Sequence, residues 1–363
     1  MTHGSPPASR PIRVMIVDDS PTNTALLSAI VASDPRLELA GVVDDGAEAL
    51  AAVGRLRPDV VTMDIHMPRV DGFEATRQIM ETEPRPIIII SASTVSDEIA
   101  ANFRAIESGA LTMVARPAGP GHPDHARSVE ELTRTIKAMS EVKVVRRWRR
   151  SQTNGAAPPP SQREFAPARL RRGGVDVVAI GASTGGPVVL QTLFAHLSRE
   201  LSFPLLIVQH IAPGFTEGFV EWLAKTTGFP VRIAVHGEAL LPGRAYVCPD
   251  HHHLGVTDGL SVQLSTMPPE NGMRPALSHL FRSVRAVCGR RSVGVILTGM
   301  GRDGVDELKA LHDEGALTVA QNEATCVIFG MPGQAVQAGA VDHQLSPEEI
   351  ARMLNSVSTP SVP

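Results

Sequence analysis

The run V-D-V-V-A-I-G-A-S-T-G-G-P, residues 175–187, reads as a β-strand that ends in a tight turn of small residues. Val175–Ile180 is almost continuously apolar and β-branched, as in a strand covered on both faces. Gly181, Ser183 and Gly185 then satisfy G-x-S-x-G, and Pro187 opens a helix-like run. Strand, sharp turn, serine, glycines and helix together form the context that lifts a Ser hydroxyl to a helix N-terminus. Small neighbours permit a strained backbone there, and free N–H groups can stabilise an oxyanion.

Two other readings compete for this turn. A dinucleotide fingerprint wants glycine where Ser183 stands and an acidic residue at the end of the next strand. That strand, Leu205–Val208, ends in Gln209-His210 instead. A plain phosphate-binding turn without catalysis is compatible with the motif taken alone.

Outward from the turn, apolar runs at Val177–Ile180, Leu205–Val208, Val293–Leu297 and Leu317–Ala320 alternate with helix-like stretches to about residue 357. Tyr246–Cys248 and Ser261–Leu264 read as a hairpin at the edge of the same sheet. Upstream, Val14–Val17, Leu39–Val43, Val60–Met63, Ile87–Ile90 and Leu111–Val114 alternate with segments of 3- and 4-residue apolar spacing, such as Thr24–Val31 and Ala47–Arg55. Alternation of this kind predicts parallel sheets with helices on both faces. The expected fold class is α/β, with two doubly wound parallel-sheet domains joined by a linker. The first, flavodoxin-like, spans 12–127; the second, Rossmann-like with a small antiparallel hairpin, spans 173–357. Residues 1–11 read as a disordered tail. Ser128 and Glu131 suggest a capping box for a helix running to about Val145. A Pro/Arg-rich linker follows to residue 172, containing Arg146, Arg147, Arg149, Arg150 and Pro158–Pro160.

The composition bounds the function. A net charge of −4 over 363 residues argues against a nucleic-acid binder. Cys248, Cys288 and Cys326 are too widely spaced for a disulfide framework or a zinc ribbon and suit a reducing compartment. No apolar run approaches ~18 residues and no signal peptide is evident, so neither membrane insertion nor secretion is expected. The expected location is cytoplasmic.

Ligands of a parallel doubly wound sheet gather at the C-terminal ends of its strands. In the first domain those ends carry Asp18 and Asp19, Asp64, Ser91 and the pair Arg116-Pro117. Converging carboxylates repel unless a cation joins them or one is protonated. Mg²⁺ suits such a set, and one carboxylate could then accept a phosphoryl group. The plainer alternative is that each Asp caps the helix that follows. In the second domain, His210 ends one strand, and T-G-M-G-R-D-G at 298–304 delivers Asp303 after another. Ser183, His210 and Asp303 can therefore meet at one rim, as nucleophile, base and orienting acid require. The order Ser…His…Asp is not that of α/β-hydrolases.

Residues 12–117 resemble response-regulator receiver domains, through Asp18-Asp19, M-D-I-H-M-P-R-V-D-G around Asp64, S-A-S at Ser91 and Arg116-Pro117. The resemblance implies Asp64 as phospho-acceptor, Mg²⁺ held by Asp18, Asp19 and Asp64, and phosphoryl contacts from Ser91 and Arg116. Arg116 replaces the usual Lys, and Met113 stands where an aromatic switch residue is usual.

Residues 175–354 closely resemble the chemotaxis protein-glutamate methylesterase family, through Q-H at 209–210, R-P at 274–275, L-F-R-S at 280–283, T-G-M-G-x-D-G at 298–304 and F-G-M-P at 329–332. That resemblance implies Ser183 as nucleophile, His210 as base, Asp303 as orienting acid, and oxyanion contacts near Thr184 and Met300. It implies a phosphorylation-regulated serine esterase that hydrolyses glutamate methyl esters on chemoreceptor helices, releases methanol and needs no cofactor for that reaction. Glutamine deamidation by the same route is open. A histidine kinase would be the phosphodonor, and the unphosphorylated first domain would cover the cleft. The contrasting reading is a signalling module whose esterase-like half binds without turnover. Leu277-Ser278 replaces an expected Val-Asp pair, a departure expected to leave the triad alone. Of His251, His252 and His253, at most two could share an ion, with no acidic partner evident; His253 is expected to line the cleft. Cys326 is expected to be buried rather than nucleophilic.

Overall fold

Ile87–Ile90, four consecutive isoleucines, are buried on both faces, as a strand inside a covered parallel sheet must be. The computed structural model describes residues 10–91, 103, 108–142, 144 and 174–358. The expected tail, apart from Arg10 and Pro11, and nearly all of the expected linker lie outside the described residues. The described chain forms two compact units. In the first, β1 (Ile12–Val17), β2 (Leu37–Val43), β3 (Val60–Asp64), β4 (Ile87–Ser91) and β5 (Thr112–Ala115) form a parallel sheet of order β2-β1-β3-β4-β5. Around it lie α1 (Pro21–Ser33), α2 (Gly46–Leu56), α3 (Gly72–Thr82) and α4 (His125–Ser140). Polar caps start the first three: Ser20, Asp45 and Asp71 accept from the N–H groups of Asn23, Ala47 and Glu74.

The last helix corrects the expected boundary. It begins at His125, not at Ser128, and ends at Ser140. Ser128 is not a cap: its hydroxyl accepts from Ala118 N–H at 3.1 Å and donates to the His125 carbonyl at 2.9 Å. Leu132, Ile136 and Met139 are fully buried, and the helix packs on β1, β3 and β4. The apolar stripe therefore assigns this segment to the first unit, not to the linker. Lys137 also pairs with Asp34 beyond the end of α1.

In the second unit, β6 (Val177–Ala182), β7 (Leu205–Gln209), β8 (Val231–Ile233) and β9 (Ala245–Val247) lie ahead of β10 (His253–Val256) and β11 (Val262–Ser265). After these come β12 (Ser292–Ile296), β13 (Leu317–Gln321) and β14 (His343–Leu345). Seven of them form a parallel sheet of order β14-β13-β12-β6-β7-β9-β8. Its helices are α5 (Gly186–Ala195), α6 (Thr216–Thr227), α7 (Leu277–Cys288), α8 (Val305–Asp313), α9 (Met331–Gln337) and α10 (Pro347–Ser358). Helix α7 buries Leu277, Leu280, Phe281 and Val284 in the same core as Val177 and Ile296.

The hairpin is present but with different partners. Ala245–Val247 is a buried parallel strand between β7 and β8, whereas Val262–Ser265 pairs antiparallel with His253–Val256 as a separate ribbon. The reason is local. Asp258-Gly259 supplies a tight turn, closed by hydrogen bonds between Thr257 and Ser261 and between Leu260 and Thr257, so β11 folds onto the strand just before it.

Packing and surface charge at α4 make separable contributions. Ile136→Ala should destabilise the first unit by about 2–5 kcal/mol through the cavity it leaves. Lys137→Ala, at a partly exposed ion pair, should cost under about 1 kcal/mol. Urea unfolding checks both, and equal costs would contradict this packing.

Candidate active site

Ala182 and Gln209 are register partners at the ends of β6 and β7, so Ser183 and His210 are the next residues on adjacent parallel strands. The His210 N–H donates to the Ala182 carbonyl at 2.8 Å, which carries the ladder up to the serine. Gln209 ties the two ends together, its Nε2 donating to Ser183 O at 2.9 Å and His210 O at 2.8 Å. Asp303 arrives from the other side of β6, in the loop between β12 and α8. His210 Nε2 lies 3.0 Å from Asp303 Oδ2, and both side chains are largely buried. Beyond this close contact, neither ring nitrogen has a hydrogen-bond partner among the described residues.

In the turn after β6 the left-handed conformation falls on Gly185, at φ 78°, the residue that caps the start of α5. Gly299 provides the room: a Cβ there would fall 2.6 Å from Ser183 Cβ and 2.6 Å from Met331 Sδ. Ser183 N–H is committed to the Thr298 carbonyl. The N–H groups of Thr184 and Met300 donate to no backbone acceptor among the described residues.

Asp303 is the most heavily partnered group in the site. Its Oδ2 accepts from Leu277 N–H at 2.6 Å, and its Oδ1 from Ser278 N–H at 3.0 Å and Ser278 Oγ at 2.7 Å. These are the first N–H groups of α7, whose flanking Ala276 supplies no side-chain cap. Asp303 thus caps that helix from a distant segment, where the helix dipole favours negative charge. Burial alone would raise the carboxyl pKa. The contact with His210 and the donors of Ser278 and Leu277 outweigh burial and hold it below the ordinary 3.8. The Leu277-Ser278 departure therefore does not leave this group alone: Ser278 is one of its partners. The sequence pattern hid this because residues 278 and 303 are 25 apart and on different elements.

His253 corrects a second expectation. It is fully buried, its Nδ1 accepting from Ala276 N–H at 3.2 Å and its Nε2 donating to Pro268 O at 3.2 Å. It therefore pins the two ends of the loop between β11 and α7 and does not present a free face to a cleft. An acidic partner does stand near it, since donor atoms of His253, Glu270 and His279 lie within 4.8 Å of one another. With both its nitrogens engaged, the His253 ring offers an ion no lone pair, and Glu270 is held by Arg282 at 2.6 Å. Cys326 is half-buried rather than buried, yet desolvation of its thiol, and then the charge of Glu323, push it up to about 12, so it stays protonated near neutral pH.

In the first unit, the strand ends also converge. Asp64 closes β3 and Asp18 follows β1, both buried; Ser91 closes β4, and Arg116 follows β5 with Nη2 3.5 Å from Asp64 Oδ1. Asp18 Oδ1 accepts from Ser20 N–H, but its buried Oδ2 has no hydrogen-bond partner among the described residues. Burial, and then the charge of Asp18, push Asp64 above its ordinary 3.8, with Arg116 offsetting part of this. Carboxylate oxygens of Asp18, Asp19 and Asp64 lie within 4.8 Å of one another. An orphaned buried oxygen among three carboxylates is the donor set of a hard divalent cation. Met113 is buried within β5.

Among known proteins, residues 14–123 match the response regulator receiver domain family and residues 178–354 the CheB methylesterase family. A protein-glutamate methylesterase/protein-glutamine glutaminase of Geobacter metallireducens is 50% identical over 348 residues, covering 96% of this chain and 99% of that protein. Its counterpart in Syntrophus aciditrophicus is 49% identical, covering 94% of this chain and 97% of that protein. The CheB methylesterase catalytic domain of Thermotoga maritima is 32% identical in sequence, with a TM-score of 0.49, covering 51% of this chain and 100% of that one. With relatives this similar along nearly its whole length, the chain belongs to the protein-glutamate methylesterase/protein-glutamine glutaminase family, a receiver domain followed by a CheB methylesterase domain.

Proposed function

We propose that this protein is a phosphorylation-regulated serine esterase acting on glutamate methyl esters of chemoreceptor helices. The observation that carries the reading is the placement of Ser183 beside His210 on adjacent strand ends, with Asp303 3.0 Å from the imidazole. Ser183 Oγ attacks the ester carbonyl and gives its proton to His210. Since Nε2 faces Asp303, Nδ1 is the nitrogen left for that proton. Asp303 holds the ring and stabilises the imidazolium that forms. Thr184 and Met300 N–H groups serve the oxyanion. His210 then protonates the departing methoxide, giving methanol. Water attacks the acyl-enzyme, losing its proton to His210, and Ser183 recovers it as the glutamate carboxylate leaves. A glutamine side chain follows the same course with ammonia as leaving group, in keeping with the double name of the relatives.

Control comes from the receiver. Asp64 accepts a phosphoryl group from a histidine kinase: an Oδ–P bond forms as the bond to the donor breaks. Ser91 and Arg116 contact the phosphoryl oxygens. Asp18, Asp19 and Asp64 would hold a divalent cation of the Mg²⁺ kind, which when bound offsets negative charge on those oxygens. Arg116 keeps the positive charge of the usual lysine but as a planar fork.

Methanol release from a methylated receptor fragment tests the reading. Ser183→Ala should lower it by about 10⁴-fold or more with the fold intact. A small phosphodonor should raise the rate of the intact chain but not of Asp64→Ala. A Ser183→Ala chain that still releases methanol would sink the assignment.

Asp303 also links the site to stability. Its folded pKa is depressed, so its contribution is present above the ordinary 3.8 and lost as pH falls through the folded value. Asp303→Asn should therefore be less stable than the parent at pH 7, and the gap should narrow in acid. A gap independent of pH would contradict the charged capping role.

Mg²⁺ at 100 times its Kd should stabilise the receiver by about 2.7 kcal/mol. Asp18→Asn should abolish that rise in Tm, and an undiminished response would remove Asp18 from the metal site.

A further inference from the structure

Asp303 must keep one oxygen turned to His210, and what holds it there comes from a segment to which the reaction assigns no role. Two backbone donors, Leu277 N–H and Ser278 N–H, persist whatever side chains stand at those positions. The Ser278 hydroxyl is different. It is buried, it lies 2.7 Å from Asp303 Oδ1, and it accepts from Gly304 N–H at 3.0 Å. That second bond fixes its polarity. Gly304 can only donate, so the single hydroxyl proton is left for the carboxylate, and the order runs Gly304 N–H, Ser278 Oγ–H, Asp303 Oδ1. A chain of this sense polarises each member toward the anion.

We propose, resting on the esterase reading above, that Ser278 is a positioning residue of the reaction: its hydroxyl clamps Asp303 Oδ1 so that Oδ2 stays on His210 Nε2. Without the clamp the carboxylate is restrained by the two backbone donors alone, and the ring it orients is held less firmly. The N–H of Gly304, a buried residue next to Asp303 in the chain, loses its acceptor as well. The Ser278 hydroxyl bonds to Asp303 and to Gly304 N–H. It acts through Asp303 alone, so its removal should be felt in turnover and not in binding. Among the described residues the titratable side chain facing Asp303 is His210; the other groups around it are backbone and hydroxyl donors.

The test measures methanol release by the full-length chain against pH and substrate concentration, for the parent, Ser278→Ala, Ser278→Thr and Ser183→Ala. Ser278→Ala should lose about ten-fold in kcat with KM changed by less than about two-fold. Its acid limb of kcat/KM should move to higher pH, because a carboxylate relieved of a hydroxyl donor binds the imidazolium more tightly. Ser278→Thr, which keeps the hydroxyl, should recover both properties. A purely structural role would lower thermal stability without moving the acid limb. If the alanine chain does not fold, Ser278→Cys, similar in shape and a weaker donor, takes its place in the comparison. Parent-like kcat and pH profile in the alanine or cysteine variant would overturn the role of Ser278, as would a folded threonine variant no better than alanine. A parent chain that releases no methanol would instead overturn the esterase reading itself.

Discussion

A carboxylate taken out of water has to be met by donors or by a cation, and each unit of this chain is organised around one that is. The two solve the problem in opposite ways. Asp303 is saturated from within: two N–H groups of α7, a serine hydroxyl and an imidazole surround it, and its acidity is enhanced despite burial. Asp64 is under-supplied. Its neighbours include Asp18, with a buried oxygen that finds no partner, and its proton is held more tightly than usual. A saturated carboxylate orients what touches it. An under-supplied one is suited to a cation, which is the role proposed for Asp64 and its neighbours. The difference in function follows from the difference in how the charge is balanced.

The same architecture serves both. In a parallel sheet every strand delivers its C-terminal residue to one rim, so the groups meet there without any of them being close in sequence. In the second unit the central strand β6 carries the serine, and its neighbours β7 and β12 lead to the histidine and the aspartate. Small residues then set the spacing. Gly185 allows the turn into α5, and Gly299 lets Ser183 and the Met331 side chain pack directly against its backbone. These constraints are steric, and they explain why the motifs around the site are rich in glycine.

Much of this was legible from the residues in order. Continuous β-branched runs such as Ile87–Ile90 announce buried parallel strands, and the residues just after them, Asp64, Ser183 and His210, announce sites. Elsewhere packing or a tight turn overrules the local signal. Ser128 has the spacing of a cap, but Leu132, Ile136 and Met139 draw the helix onto a sheet, and its start moves to His125. The turn Asp258-Gly259 pairs β10 with β11, and so leaves Ala245–Val247 to the large sheet.

What the linear order determined by itself is the identity of the elements and of the chemical groups at their ends, because hydrophobic period and turn residues act over a few positions. Which distant groups share a hydrogen bond is settled by packing alone. Ser278 sits at the second position of a helix, where a hydroxyl suggests nothing beyond ordinary helix chemistry. Its hydrogen bond to Asp303 exists because α7 points its N-terminus at the loop after β12, and that alignment follows from packing Leu277, Leu280 and Phe281 into the core. The hydrogen bond is short in space and 25 residues long in sequence, and only folding closes that gap.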